Sequence, residues 1–520
     1  MIELASYVCG TWISGKGGRA ATLVNPATEQ PLATASTEGI DFGAALAHAR
    51  DKGGPALRAM TLKQRGEMLR AMSRAVHGKR DELLGIAIAN GGNTRSDAKF
   101  DVDGAIGTLA AYADLSAELG DGHVLADGDS VQLGRSPRLF GQHVYTPRTG
   151  VAVHVNAFNF PAWGLGEKAA CALLAGMPVI AKPATSTAIL THRIVQILVD
   201  EKVLPEGALS LVCGSSGDLL DRLGGQDVLA FTGSSVTAAT LRAGKAFTHA
   251  SAHVNVEADS LNAAILGPDV EGSSDVMNLF VGDVARDMTQ KTGQKCTAIR
   301  RVYVPAAKME AALEQLRERL VAVKVGDPSR EDVGMGPVAT KQQLDDVRAG
   351  IAKLQTCARA VCGGPGVVEA LGVSSGKGYF VAPTLLHASD PRETDAVHTH
   401  EVFGPVASVL PYDGTPATVS KLVSWGGGGL VTSVYSDDKD FTRDVVLGIA
   451  PLHGRITIGS SKTASQSVPP GTALPQLLHG GPGRAGGGEE LGGRRGLALY
   501  MQRTALQGDR ALVESIAGKR

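Results

Sequence analysis

Cys296 stands in the polar stretch Thr292-Gly293-Gln294-Lys295-Cys296-Thr297-Ala298, beside a cation and ahead of the strand-like run Arg301-Val302-Tyr303-Val304. Buried cysteines sit in apolar runs, as Cys171 does in Ala169-Ala170-Cys171-Ala172-Leu173-Leu174. A thiol in a polar turn next to Lys295 has reason to ionise, and the thiolate is the reactive form. Thirty-nine residues upstream, Glu257 is an acid within the otherwise apolar run His253-Val254-Asn255-Val256-Glu257-Ala258. A nucleophile and a base are the two parts that covalent catalysis needs.

Three further sites carry chemistry at strand ends. Asn159, in Asn156-Ala157-Phe158-Asn159-Phe160-Pro161, has a side-chain amide that could meet a developing oxyanion, or could simply cap a turn. Lys182 closes the apolar run of Ile180-Ala181-Lys182-Pro183-Ala184-Thr185, where a cation can meet a phosphate or ribose, or only water. Phe231-Thr232-Gly233-Ser234-Ser235 reads as a strand-to-helix turn, whose free N–H groups can receive a phosphate. Each signal is weak alone; together they fall on consecutive strand ends.

The elements that position them alternate from about 150 to 270. Strands are expected at Val151–Val155, Pro178–Lys182, Leu209–Cys213, Val228–Thr232, His253–Glu257 and Asn262–Leu266. Helices are expected between them at Ala162–Ala175, Thr187–Glu201, Asp218–Leu223 and Ser235–Ala246. This alternation argues for an α/β fold with a parallel sheet, whose ligands bind at the carboxyl ends of its strands. Upstream, Met60–His77, Arg80–Ala89 and Asp101–Leu119 read as helices, and Gly120–Arg148 as an extended, strand-like arm. A second alternating region runs from about 275 to 450, with a helix at Lys308–Val321 and strands at Ala407–Leu410 and Leu430–Tyr435. Leu478–Gly496 is a glycine-rich loop. Within it, Gly481-Pro482-Gly483-Arg484-Ala485-Gly486 matches G-x-G-x-x-G literally, but its context is that of an ordinary or active-site loop, not a dinucleotide fingerprint.

At 520 residues, two or three domains are expected. With 51 basic against 52 acidic residues, nothing in the overall charge suggests a nucleic-acid or membrane-surface partner. No apolar run approaches the 18 or so residues that span a bilayer, and Met1–Trp12 has no signal-peptide pattern. Six cysteines lack metal-ligand pairing, so no metal site is expected and a reducing, cytoplasmic setting is.

The chain resembles the NAD(P)-dependent aldehyde dehydrogenase superfamily along nearly its whole length. The family pattern W-N-F-P stands as Phe158-Asn159-Phe160-Pro161, K-P-S/A-E as Lys182-Pro183-Ala184-Thr185, and F-T-G-S as Phe231-Thr232-Gly233-Ser234. The glutamate of E-L-G-G falls on Glu257, and G-Q-x-C on Gly293-Gln294-Lys295-Cys296. E-I/V-F-G-P and N-P-A-T are intact at Glu401-Val402-Phe403-Gly404-Pro405 and Asn25-Pro26-Ala27-Thr28.

The resemblance implies an aldehyde dehydrogenase fold: a Rossmann-like cofactor domain (1–119 and 149–260), a mainly catalytic α/β domain (261–475), and an oligomerisation arm with the C-terminal segment (120–148 and 476–520). It implies Cys296 as nucleophile, Asn159 and the Cys296 N–H as oxyanion donors, and Glu257 as the base that hydrolyses the thioester. Lys182, Thr185, Gly233, Ser234, Glu401 and Phe403 would bind the cofactor. Lys168 and Glu490, with Glu167 assisting, would move protons to and from Glu257.

Thr185 replaces the family glutamate that holds the adenosine-ribose hydroxyls. A carboxylate there would repel a 2′-phosphate, so NADP is expected over NAD. The family's Leu-Gly after Glu257 is Ala258-Asp259 here, which puts the local loop conformation in question. Val155–Pro161 and His479–Glu490 resemble the branch acting on CoA-linked semialdehydes in aerobic aromatic degradation; a free aliphatic or aromatic aldehyde is the alternative. The arm implies a homodimer. Two other classes stay open: a nicotinamide-independent cysteine hydrolase, disfavoured because no histidine neighbours Cys296 in sequence, and a catalytically silent binding protein.

Overall fold

Strand and helix alternate from Ala152 to Glu257 and close into one sheet in the computed structural model, which describes residues 2–16 and 20–518. The sheet's seven strands run in the order His253–Glu257, Val228–Thr232, Ala152–Val155, Val179–Lys182, Leu209–Leu211, Ser6–Val8 and Thr11–Ile13. The first five are parallel, and the two N-terminal strands extend it antiparallel. Thr232 pairs with Glu257 and Val155 with Lys182, so the carboxyl ends of four adjacent strands lie level at one edge. The hydrophobic runs are buried on both faces, as expected of a sheet covered by helices.

A second seven-stranded sheet follows the order Arg359–Cys362, Thr384–His387, Val406–Tyr412, Arg301–Pro305, Ala263–Leu266, Gly429–Tyr435 and His453–Gly459, parallel except for its first pair. The expected arm forms the hairpin Leu125–Gln132 and Leu139–Pro147, and a C-terminal strand, Met501–Asp509, pairs along its whole second strand.

Several boundaries differ from the sequence expectation for identifiable reasons. The long helix begins at Arg95 and not Asp101, because Thr94 caps it: its hydroxyl accepts from the Asp97 N–H at 3.2 Å and donates to the Asp97 carboxylate at 2.8 Å. The expected helix Ser235–Ala246 is two helices, Ser235–Arg242 and Lys245–Thr248, broken at Gly244. The glycine-rich loop contains the hairpin Leu478–Gly480 with Glu489–Leu491, in which His479 pairs with Glu490. The literal G-x-G-x-x-G lies in its tip, a turn at Gly483–Ala485 and no Rossmann turn.

Candidate active site

The loop that carries Cys296 is held in an unfavourable backbone shape. Lys291, Thr292 and Gly293 have φ of 52°, 56° and 66° in succession. A positive φ is a genuine outlier for a β-branched threonine, and such strain persists only where surroundings over-determine it. Here they do. The Thr292 hydroxyl donates to the Gly336 carbonyl at 3.0 Å, and a Cβ on Gly293 would lie 2.2 Å from the Gly404 oxygen. The buried Arg300 guanidinium donates to the Gly404, Gly293 and Lys295 carbonyls at 2.7, 2.9 and 3.2 Å. The Asn262 amide donates to the Cys296 and Ala298 carbonyls at 2.8 and 2.9 Å.

Lys295 does not serve the thiol as its sequence position suggests. It is fully buried, and its ammonium binds Asp287 at 2.6 Å and Gln290 at 2.9 Å. A buried ammonium must be paired, so the cation turns to the carboxylate behind the loop. Burial and the charge of Glu257 instead push the Cys296 thiol well above its usual range.

Cys296 lies where three cavities meet. One, of about 630 Å³, runs from exposed Ser96, Lys99 and Gln476 at the surface, past Phe100, Trp163 and His479, to the thiol. Another, of about 500 Å³, holds Asn159, Lys182, Gly233, Ser234, Glu401 and Phe403 along its wall. A third, of about 20 Å³, lies between Asn156, Glu167, Lys168, Thr232, Glu257 and Cys296, with volume for a single water. The Asn159 amide donates to the Gln294 carbonyl at 3.0 Å, which fixes it beside the cysteine loop.

Glu257 ends its strand 2% exposed. Burial opposes its charge, but His479 and Lys168 outweigh burial and hold the carboxyl at about 2. His479 was invisible as a neighbour in the sequence. Its Nε2 lies 3.2 Å from Glu257 and 4.0 Å from the Cys296 sulfur. The first is an ion-pair approach without the alignment of a hydrogen bond, so both Glu257 oxygens keep acceptor capacity.

Behind Glu257, Lys168 binds Glu167 at 2.5 Å and Glu490 at 3.1 Å, and Asn255 donates to Glu490 at 3.3 Å. Carboxylate oxygens of Glu167, Glu257 and Glu490 all lie within 4.8 Å of one another. Burial pushes Glu167 well above the usual carboxyl range despite Lys168. Burial would lower Lys168, but Glu167, Glu490 and Glu257 together raise it. Three buried carboxylates around one ammonium cannot all ionise cheaply, and Glu167 is the one that burial most disfavours as an anion.

The residues of the 500 Å³ cavity fit a dinucleotide. The Glu401 carboxylate accepts from the Ser260 N–H at 2.9 Å, while its other oxygen has no hydrogen-bond partner and can take a ribose hydroxyl. Burial raises Glu401 to about 7, with Arg300 opposing. Phe403 packs edge-on against Phe158. Thr185 stands apart from this wall, its hydroxyl donating to the Gly214 carbonyl at 3.2 Å. The departure at Asp259 has a role: its carboxylate accepts from the Ser235 N–H and hydroxyl at 3.0 and 2.5 Å, anchoring the loop after Glu257 to the helix start.

A family model described as the aldehyde dehydrogenase family matches residues 12–505. A 3,4-dehydroadipyl-CoA semialdehyde dehydrogenase of Aromatoleum evansii is 45% identical over 92% of this chain and 93% of its own. Lactaldehyde dehydrogenase of Escherichia coli is 26% identical over 86% of this chain and 89% of its own. Among solved structures, a point mutant of betaine aldehyde dehydrogenase from Staphylococcus aureus in complex with NAD+ superposes with a TM-score of 0.85 at 21% identity, covering 98% of each chain. The chain belongs to the aldehyde dehydrogenase family.

Proposed function

We propose that this enzyme oxidises a CoA-linked semialdehyde, 3,4-dehydroadipyl-CoA semialdehyde, to its carboxylic acid in aerobic benzoate degradation, in the cytoplasm, with NADP preferred over NAD. The observation that carries the chemistry is Cys296 at the junction of the two large cavities, one open to substrate and one fitted to a dinucleotide. The thiolate adds to the aldehyde carbon, and the oxyanion forms beside the Asn159 amide. A nicotinamide dinucleotide held along Lys182, Ser234 and Glu401 would supply the hydride acceptor. Glu257 then takes a proton from water, which attacks the Cys296 thioester, and the Glu167–Lys168–Glu490 cluster carries that proton away. The 45% identical Aromatoleum relative supports the substrate. Comparing kcat/KM for the CoA-linked semialdehyde and a free aldehyde of similar length tests it: the CoA-linked compound should be much the better substrate, and equal rates would reduce the reading to a general aldehyde.

Asn159→Ala should lower kcat about 10²–10³-fold, the loss known for a single oxyanion donor, with little change in cofactor affinity. Steady-state kinetics and a cofactor titration check both halves.

The substrate cavity is widened by the small residues Gly104, Gly107 and Ala111 on one face of the helix Arg95–Leu119. A Cβ on Gly107 would meet nothing within 4 Å. Gly107→Leu should therefore fold well, gaining up to about 1 kcal/mol of helix propensity, while its side chain narrows the passage. The kcat/KM for a long or CoA-linked aldehyde should fall, and that for a two-carbon aldehyde should hold.

NADP preference is supported by Thr185, which leaves no carboxylate beside Lys182 to repel a 2′-phosphate. Thr185→Glu should move the kcat/KM ratio toward NAD. A homodimer is part of the same reading, supported by exposed Val131, Leu133 and Leu139 on the arm; light scattering on the eluted protein checks it.

A further inference from the structure

Glu257, Cys296 and His479 come from three distant parts of the chain: the end of the strand His253–Glu257, the loop after the strained Gly293, and the hairpin Leu478–Gly480 with Glu489–Leu491. One ligand atom of each, a Glu257 carboxylate oxygen, the Cys296 sulfur and a His479 ring nitrogen, all lie within 4.8 Å of one another. The His479 Nε2 is 3.2 Å from the carboxylate and 4.0 Å from the sulfur. The Trp163 ring packs edge-to-face on the imidazole, with centroids 5.4 Å apart, and fixes its orientation. The six cysteines have no metal-type spacing in the sequence; the fold assembles this set instead.

Thiolate, imidazole and carboxylate are the three side-chain ligands that zinc takes, and at its usual bond lengths a tetrahedral ion separates such donor atoms by about 3.4–3.6 Å. The two measured separations bracket that range, so side-chain shifts of roughly half an ångström bring both pairs to it. The fourth position of the tetrahedron has a place for water: the pocket of about 20 Å³ is lined by both Glu257 and Cys296. Charge favours a dication here. A thiolate beside Glu257 places two negative charges together, and the cation next in sequence, Lys295, is bound to Asp287. The neighbouring trio of Glu167, Glu257 and Glu490 is no rival site, because the Lys168 ammonium already lies in it, 2.5 Å from Glu167 and 3.1 Å from Glu490.

We propose that Cys296, His479 and Glu257 form a zinc-binding site that reversibly switches the enzyme off. As the sulfur–zinc bond forms, the S–H bond breaks and its proton goes to water. The neutral imidazole and the carboxylate each give one lone pair, a water takes the fourth position, and nothing is oxidised or reduced. With the ion bound, the sulfur's lone pair is no longer free to attack an aldehyde, and Glu257 is no longer free to take a proton from water. The switch, though not the binding, rests on Cys296 and Glu257 having the roles proposed above. His479 is the member that the oxidation does not use, and it turns two catalytic groups into a three-point chelate.

The test is a metal titration of tag-free enzyme, cleared of added thiols and chelators. Cobalt(II) is read by thiolate-to-cobalt absorption in the near ultraviolet, and zinc(II) by competition with a chromophoric chelator. The wild type should show the thiolate band, and Cys296→Ser should lose it. His479→Phe keeps a ring against Trp163 and should bind zinc more than about 100-fold more weakly, since even an outer-shell partner is worth roughly 10–100-fold. His479→Gln serves in its place should the phenylalanine fail to fold. Zinc should abolish wild-type turnover, and EDTA should restore it. A wild type without the thiolate band would overturn the proposal, as would equal zinc affinity in a folded His479 variant or full turnover with zinc bound. Cys296→Ser, assayed for turnover in parallel, separates the two readings. If it is inactive while the wild type binds no metal, the zinc site alone fails and the dehydrogenase reading stands. If it turns over normally, the nucleophile assignment fails and the switch with it.

Discussion

Glu257→Gln should yield an enzyme that reduces one equivalent of cofactor per active site and then stalls. The substitution keeps the shape of the side chain and removes its ability to accept a proton. Once the thiolate has formed, addition and oxidation make no demand on that ability, so the first turnover should proceed. Hydrolysis of the thioester does demand it: water is a poor nucleophile until a base takes its proton, and both Glu257 oxygens are free to accept one. Loss of a positioned general base costs about 10²–10⁴-fold, so the steady-state rate should fall by that factor while the burst remains. Stopped-flow absorbance of the reduced cofactor measures both phases. A rate depressed from the first turnover, without a burst, would assign Glu257 to acylation instead.

Asp287→Ala should be the most damaging single change behind the site. Asp287 and Lys295 are both fully buried and lie 2.6 Å apart. Removing the carboxylate leaves the ammonium without its counter-charge, with Gln290 as its remaining hydrogen-bond partner among the described residues. Breaking a buried pair on one side costs about 3–5 kcal/mol. Lys295 directly precedes the nucleophile, so its displacement should disturb the strained loop and lower kcat as well as stability. Pairing the change with Lys295→Met should recover much of the loss, since a buried ion pair replaced on both sides by apolar groups is often close to neutral. Chemical denaturation of the single and double variants measures this; equal destabilisation in both would contradict it.

The parts of this molecule that were legible in the sequence share a physical cause. Strands such as Val228–Thr232 and His253–Glu257 are short apolar runs ending in a polar residue, and buried parallel strands need that pattern. Cys296 stood out as a thiol in a polar stretch, Glu257 as an acid in an apolar run, and Asn159 as an amide at a strand end. Lys295 misled because adjacency in sequence says nothing of direction: successive side chains in the loop diverge, and the buried one found Asp287. His479 was missed because its position depends on a hairpin inside a glycine-rich run, where no periodicity marks a strand. The glycines themselves were the available signal. Gly454 touches the Gly480 carbonyl closely enough that a Cβ would lie 1.9 Å away, so a chain this rich in glycine is packed backbone to backbone against a neighbour and need not be a loose surface loop. The third strand of the arm, Met501–Asp509, is largely exposed and polar along its length, and without a buried face it has no alternation to read.

The most direct test of the account is to find the acyl group. Glu257→Gln, mixed with NADP and the aldehyde and quenched in acid at the end of its burst, should carry the substrate's acyl mass on the peptide containing Cys296, removable by hydroxylamine as a thioester is. An unmodified Cys296 peptide after one equivalent of cofactor has been reduced would contradict covalent catalysis at this residue.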